Sequence, residues 1–318
     1  MKRVLMLILS LIMVLSLAAC SSEPSESGSL TFTTGSYTGT YYAFGSAMGE
    51  SVNASTDTQV TVISSNGSQA NIEALKAGEA NIAFVQSDVM AYGYKGTRLF
   101  EETGAVTNFS TVAAMYIEQV QIVTLDPSIK SVADLAGRRV SIGAVGSGVY
   151  YNAMDILGVY DLTEDDIVVS FYNFSETIKA LQDGEIDAGF VVAGVPTNAV
   201  ASLAITNEAY LVSLDDEHIR ALVAASPYYA KNTIGSEVYG TAEDVTTVGI
   251  SAVVIASDSA SENDVYNFIS AVFNNLDTIT HDKTKELSLD FAISVTDVPY
   301  HPGAARFFRE RGLTVPTK

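Results

Sequence analysis

The sequence predicts an α/β protein of two lobes, each a mostly parallel sheet flanked by helices, with a cleft between them. Three observations predict it. Short β-branched or apolar runs alternate with amphipathic helical stretches, the pattern of parallel strands joined by crossover helices. Two segments echo each other: residues 72–85 read IEALKAGEANIAFV and residues 178–191 read IKALQDGEIDAGFV, identical at seven of fourteen positions at an offset of 106. A glycine-rich turn precedes each copy, and Gly39-Thr40-Tyr41-Tyr42 matches Gly148-Val149-Tyr150-Tyr151 at an offset of 109. The competing account is the shared logic of helix–glycine–strand units. A period this long marks a duplicated lobe rather than a solenoid repeat.

Residues 1–20 stand apart from the fold. Lys2 and Arg3 precede an apolar run over 4–17, and Leu17-Ala18-Ala19-Cys20 follows. That is the pattern of a bacterial lipoprotein signal peptide, 1–19, ending before a cysteine that is lipidated and becomes the new N-terminus. A transmembrane helix is the rival, but the run is shorter than the roughly 20 residues a span needs. Cys20 is the only cysteine, so the mature chain has no disulfide and no thiol for catalysis or metal binding. Residues 20–29 are small and polar and read as a flexible tether. The expected location is therefore a cell membrane, lipid-anchored on its extracytoplasmic face. The net charge is −20, and loss of Lys2 and Arg3 takes it to −22. Such acidity excludes a nucleic-acid partner, which needs Lys and Arg, and excludes adsorption to anionic lipid beyond the anchor. A solvated acidic surface explains it.

Along the chain, residues 30–32 form a strand, 33–42 (TTGSYTGTYY) a glycine turn, and 44–52 a helix. Residues 58–64 are a β-branched strand. A turn at Asn66-Gly67-Ser68 leads to a helix over 69–77 with Gly78 after its end. A buried strand at 81–86, a short helix to 94 and a loop over 97–108 precede a long strand at 112–125. Ser131 and Asp134 have capping-box spacing, and Gly137 ends that short helix. The second lobe then repeats the plan: strand 140–143, the turn at 143–151, a helix to 157, strand 167–172, a helix capped by Ser175 to 182, and strand 186–193. Helices at 199–204 and 215–224 flank a strand at 210–213. Residues 226–244 read as irregular, 245–255 as a second long strand, and 263–276 as an amphipathic helix. The tail carries a helix near 287, a turn at His301-Pro302-Gly303 and then Phe307-Phe308. The two long strands serve as crossovers, which divides the chain into lobe 1 (30–119 plus 251–318) and lobe 2 (120–250).

Several long motifs resemble the TAXI family of solute-binding proteins from TRAP transporters. They are the lipobox, TGSYTGTYYAFGSAMG, NGSQANIEALKAGEANIAFVQSDV, IKSVADLAGRRVSIGAVGSG, DGEIDAGFVVAGVPT, LVSLDD and HPGAARFFRE. They span essentially the whole mature chain in order. Ala43 and Ile234-Gly235-Ser236 depart from the pattern, which has proline at those places. The resemblance implies a two-lobe periplasmic-binding-protein-like (type II) fold that closes on its ligand about a hinge. It implies TRAP membrane permease subunits as partners, and a small organic acid or amino acid of the glutamate, glutamine or 2-oxo acid kind as ligand.

In open α/β folds ligands sit beyond the carboxyl ends of the strands, where the glycine turns lie. A turn that opens a helix presents free N–H groups and the positive end of the helix dipole. Neither turn contains Lys or Arg, so a ligand carboxylate would be met by dipoles and hydroxyls. The candidates are Ser36, Gly39, Thr40 and Tyr41 in lobe 1 and Gly146, Ser147 and Gly148 in lobe 2. Asn66 and Ser68 are binding residues or caps. Gln86 and Ser87 end one buried strand, Ala193 and Gly194 the other. Tyr116 and Glu118 lie on the first crossover, where Glu118 is either a solvated strand acid or an acceptor for an ammonium group. Tyr150 and Tyr151 are packing or binding residues. No cofactor is expected: no Gly-Lys-Ser/Thr follows either turn, and the glycine spacing at 143–148 departs from the dinucleotide fingerprint. No pair among His218, His281 and His301 has metal-ligand spacing. Ser147 lacks the Gly-x-Ser-x-Gly context of a hydrolase, so a surface hydrolase ranks below a transport receptor, a solute-sensing lipoprotein and a binding protein for an ATP-driven (ABC) importer.

Overall fold

The strands form where the β-branched and apolar runs lie, and glycine turns set their ends. The computed structural model describes residues 28–318, so the signal peptide, Cys20 and nearly all of the tether lie outside the described residues. The first half builds β1 (Ser29–Thr33), α1 (Thr40–Ser55), β2 (Gln59–Ile63), α2 (Ser68–Ala77), β3 (Ile82–Gln86) and α3 (Ser87–Lys95). The long β4 (Phe109–Thr124) leads into β5 (Arg139–Ser141), α4 (Gly148–Val159), β6 (Val168–Ser170), α5 (Phe174–Gln182) and β7 (Ala188–Ala193). Then follow α6 (Asn198–Thr206), β8 (Tyr210–Leu211), α7 (Asp216–Ala225), β9 (Ala230–Ile234), α8 (Ser236–Tyr239) and β10 (Val245–Ser257). Helices α9 (Glu262–Asn274), α10 (Leu289–Ala292) and α11 (Pro302–Arg309) complete the described chain.

The strands make one hydrogen-bonded sheet in the order β2-β1-β3-β10-β4-β7-β5-β6, with β8 on β4 and β9 on β10. Its two ends are parallel: β1 pairs β2 and β3, and β5 pairs β6 and β7. The middle is antiparallel, β10 lying between β3 and β4, and β4 between β10 and β7. The parallel sets expected for each lobe are therefore joined into a mixed, curled sheet by the two long crossovers. The pairing of β4 with β10 runs from Gly249↔Gln119 to Ser257↔Phe109 and shifts register twice, once at Ala252/Val253 beside Tyr116. Such bulges bend a strand and re-aim its side chains.

β4 carries residues into every core layer. Val112 and Met115 pack with Phe32, Phe44, Met48 and Phe268. Phe109 packs with Leu75, Val85 and Val253 on another face. Val120 and Ile122 pack with Val140, Ile156 and Phe190, and Val123 with Leu181 and Val200.

Three expectations are corrected. The helix expected from residue 44 starts at Thr40, so the tyrosine pair of the first turn is already helical. Residues 226–244 are not wholly irregular, because Ala230–Ile234 finds a ladder against Gly249–Val245 of β10. Its sequence lacks apolar alternation, and pairing rather than burial holds it. The turn at His301-Pro302-Gly303 opens α11: His301 caps it, Pro302 takes the first turn, and Phe307 and Phe308 are buried.

Phe84 on β3 ties this core to the cleft. Its ring stacks on Phe32 (5.2 Å) and on Tyr41 (4.6 Å). Phe84→Ala should cost about 3–5 kcal/mol in urea unfolding and should also release Tyr41. A loss below about 1 kcal/mol would show that the aromatic stack does not support the site.

Candidate functional site

The carboxyl ends of both parallel sets face one cavity. It is walled by Ser36, Gly39, Thr40 and Tyr41 from the first glycine turn and by Ser147 and Gly148 from the second. Asn66, Ser68, Gln86, Glu118 and Ala193 complete the predicted residues that line it. It offers about 40 Å³ of room for water centres, several waters' worth on a scale where one needs about 10–15 Å³. Contacts between the halves close its rim: Thr38 Oγ1 lies 3.1 Å from Ser175 Oγ, and the Asn66 amide donates to the Val145 carbonyl at 3.1 Å. Thr40 Oγ1 donates to the Gly194 carbonyl at 3.0 Å.

Four predicted residues stand behind this wall. Ser87 opens α3 and is buried. Tyr116 is buried among Phe44 and Phe84, and its hydroxyl has no hydrogen-bond partner. Gly146 adopts φ +81 and its carbonyl accepts the Ala70 N–H, which locks one turn onto the start of α2. Gly194 supplies only its carbonyl; a Cβ there would stand 2.5 Å from Lys283 Cε and 2.9 Å from Thr40 Cγ2. Of the tyrosines after the second turn, Tyr151 is core, 1 % exposed.

Four helices begin at the cavity. The caps are Gly39 for α1, Gly67 for α2, Ser147 for α4 and Asn173 for α5, and each lines the wall. Glycine caps have no side chain to accept the first-turn N–H groups; in α2 the Gly146 carbonyl takes the Ala70 N–H, and the other first-turn donors of α1 and α2 have no cap side chain. The Ser147 hydroxyl instead accepts from Tyr150 N, as a cap does. Gly148 is required by space: a Cβ would fall 1.9 Å from Gln86 Oε1.

Asn173 and Phe174 were not among the predicted residues. Asn173, rather than Ser175, caps α5, and its capping box with Glu176 is written in the sequence as Asn-x-x-Glu. Phe174 carries no such signal; its ring covers Gly39, where a Cβ would come within 3.1 Å. Gly35, Ser65, Ala144, Val149 and Val192 also line the cavity and follow from the fold alone.

Glu118 is the one ionisable carboxylate in the wall, and the cavity has no Lys, Arg or His. It is not a solvated strand acid, being 2 % exposed. The Tyr41 hydroxyl donates to its Oε2 at 2.9 Å. Burial pushes its carboxyl up to about 8, against the opposing hydrogen bond from Tyr41 and with a further push from Asp88. Burial likewise holds the Tyr41 and Tyr116 hydroxyls well above their ordinary range. Behind the cleft, Asp88 takes a hydrogen bond from Asn152, and Tyr229 joins Asn152 to Asp155, which pairs with Arg98. Burial raises Asp88 to about 7. The rear of the cleft is thus also bridged between the halves.

A continuous mixed sheet with parallel ends, two long antiparallel crossovers and a cavity at their junction is the type II periplasmic-binding-protein fold of solute-binding proteins. Solved structures agree. An ancestral arginine-binding protein bound to arginine superposes at TM-score 0.50 with 17% identity, over 81% of this chain and 97% of that one. A protein from Bordetella bronchiseptica RB50 gives 0.52 and 15%, over 91% and 90%. The ligand-binding component of an ABC-type import system from Staphylococcus aureus, with zinc bound, gives 0.50 and 12%, over 91% and 94%. At these identities the likeness is one of fold. A family model described as the NMT1-like family matches residues 32–312, and the chain belongs to that family.

The raised carboxyls set a sign for pH. Glu118 and Asp88 hold protons in the folded, ligand-free chain that the unfolded chain releases near pH 4 to 4.5. Stability should therefore fall as pH rises from about 4 to 4.5 until about 7 for Asp88 and about 8 for Glu118, by up to about 1.4 kcal/mol per pH unit for each group. Urea unfolding at pH 5 and pH 8 checks this. Glu118→Gln and Asp88→Asn should each flatten the slope, and an unchanged slope in both would refute the assignment.

Proposed function

We propose that this chain is an extracytoplasmic solute-binding receptor of a membrane importer, holding a small organic acid or amino acid in the cavity between its halves. One observation carries the reading: four helix N-termini and two glycine turns, brought from distant parts of the chain, surround one small cavity without a cationic side chain. That arrangement binds a carboxylate through N–H groups and dipoles. We take residues 30–119 plus 251–318 and 120–250 as lobes that rotate about β4 and β10, the closed form being the one the permease engages. The C-terminal Lys283 supports closure, since its Nζ donates to the Val195 carbonyl across the lobes at 2.9 Å.

A hydrolase reading lacks support at this site. The Ser147 hydroxyl is occupied as a cap, and no histidine lines the cavity. His218 pairs with Asp215, while His281 and His301 cap local turns.

Two permease types use receptors of this fold. The fold relative from an ABC-type import system supports an ATP-driven importer. The motif resemblance to TAXI proteins supports a TRAP permease driven by an ion gradient, with glutamate, glutamine or 2-oxo acids as ligands. The receptor reading holds with either, and the proposed lipid anchor at Cys20 suits both.

A thermal-shift screen with glutamate, glutamine, 2-oxoglutarate, C4-dicarboxylates and the standard amino acids tests the receptor; at least one should raise Tm by several degrees at millimolar concentration. No response from any of them sinks it. In cells, uptake of the ligand should stop on ATP depletion with the ion gradient intact for an ABC partner, and on gradient collapse with ATP intact for a TRAP partner. Cys20→Ser should move the chain from the membrane to the soluble fraction; retention in the membrane would exclude the anchor.

A further inference from the structure

The cavity wall combines helix N-termini with side-chain acceptors. The N-termini lie around Gly39, Gly67 and Gly148, and Gln86 Oε1 stands against Gly148. Glu118 Oε2 accepts from the Tyr41 hydroxyl. Gln86 lines the same wall, 2 % exposed, and its Oε1 is buried with no hydrogen-bond partner. Gln86 ends β3 opposite Ala252, and Glu118 lies in β4 opposite Ile250, two residues away along β10.

We propose that Glu118, with Gln86, holds the ammonium group of the solute, so that the ligand is a zwitterionic α-amino acid and not the 2-oxo acid, hydroxy acid or dicarboxylate of the same skeleton. The proposal rests on the receptor reading and narrows its ligand class. The donor inventory favours it: an ammonium brings three N–H donors and no acceptor, whereas a keto group or second carboxylate brings only acceptors. The unserved Gln86 Oε1 beside a keto oxygen would stay unpaired, at a cost. Charge agrees. A dicarboxylate would add two negative charges to a wall with no cation and would keep the buried Glu118 protonated, while a zwitterion adds no net charge. Lys283 is committed to the Val195 carbonyl and Glu286, and its Nζ stands 5.5 Å from the centre of the Tyr116 ring. Burial keeps the Glu118 carboxyl protonated over part of the neutral range while the site is empty, and an arriving ammonium ionises it.

Calorimetry on the purified chain at pH 8 tests this. The panel is the standard amino acids and, for each one that binds, its 2-oxo and 2-hydroxy counterparts with the same side chain, together with succinate and malate. The wild-type chain should bind an amino acid and reject its matched oxo and hydroxy acids by about 100-fold or more. Glu118→Gln should weaken the amino acid by a similar factor and narrow the gap to the oxo acid. Tyr41→Phe, which keeps the ring stack on Phe84, should weaken it less. Should Glu118→Gln fail to fold, the matched ligands on the wild-type chain decide alone. An oxo acid or dicarboxylate binding as tightly as the amino acid overturns this inference and leaves the receptor intact. No binding by any acid or amino acid overturns the receptor reading, and this inference with it.

Discussion

The antiparallel pairing of β4 with β10 is the constraint on which the rest depends. Each parallel set has its own core, and neither set pairs with the other directly. The two crossovers lie between them, and β4 alone supplies residues to all four apolar clusters. Ile250 opposes Glu118 and Ala252 opposes Tyr116 in that ladder. The cavity wall at Glu118 is thus part of the same strand that holds both cores together.

This placement explains how the site tolerates a buried acid. A carboxylate removed from water costs several kcal/mol unless it is paired or protonated. Glu118 has a phenol donor, helix dipoles across the cavity, and a proton held by burial.

Much of the fold was legible in the sequence because it is local. The echo of residues 72–85 in 178–191 marks α2–β3 and α5–β7, and hydrophobic period together with glycine placement located most strands. The tyrosine turns were read correctly as sites where helices begin, because a cap and its glycine are neighbours in sequence. Most of the residues singled out from the turns and strand ends share one cavity. Tyr116, Ser87, Gly146 and Gly194 lie just behind it, since alternation along a strand or the first turn of a helix does not say which neighbour will cover a side chain. β9 was missed because its ladder partner, not its own pattern, makes it a strand. Asn173 was missed although its capping box was present, the competing Ser175 standing two residues later.

By itself, the sequence determined the duplicated α/β plan, the two helix-opening glycine turns and the absence of Lys and Arg within them. These are matters of period, turn chemistry and composition. Only the tertiary structure decided that both parallel sets join one sheet, that Phe174 covers Gly39, and that Glu118 is buried in the same wall as Gln86, whose Oε1 has no partner. Burial and pairing depend on groups separated by tens to hundreds of residues, and Glu118 as a strand residue carries no mark of whether water or another lobe will face it.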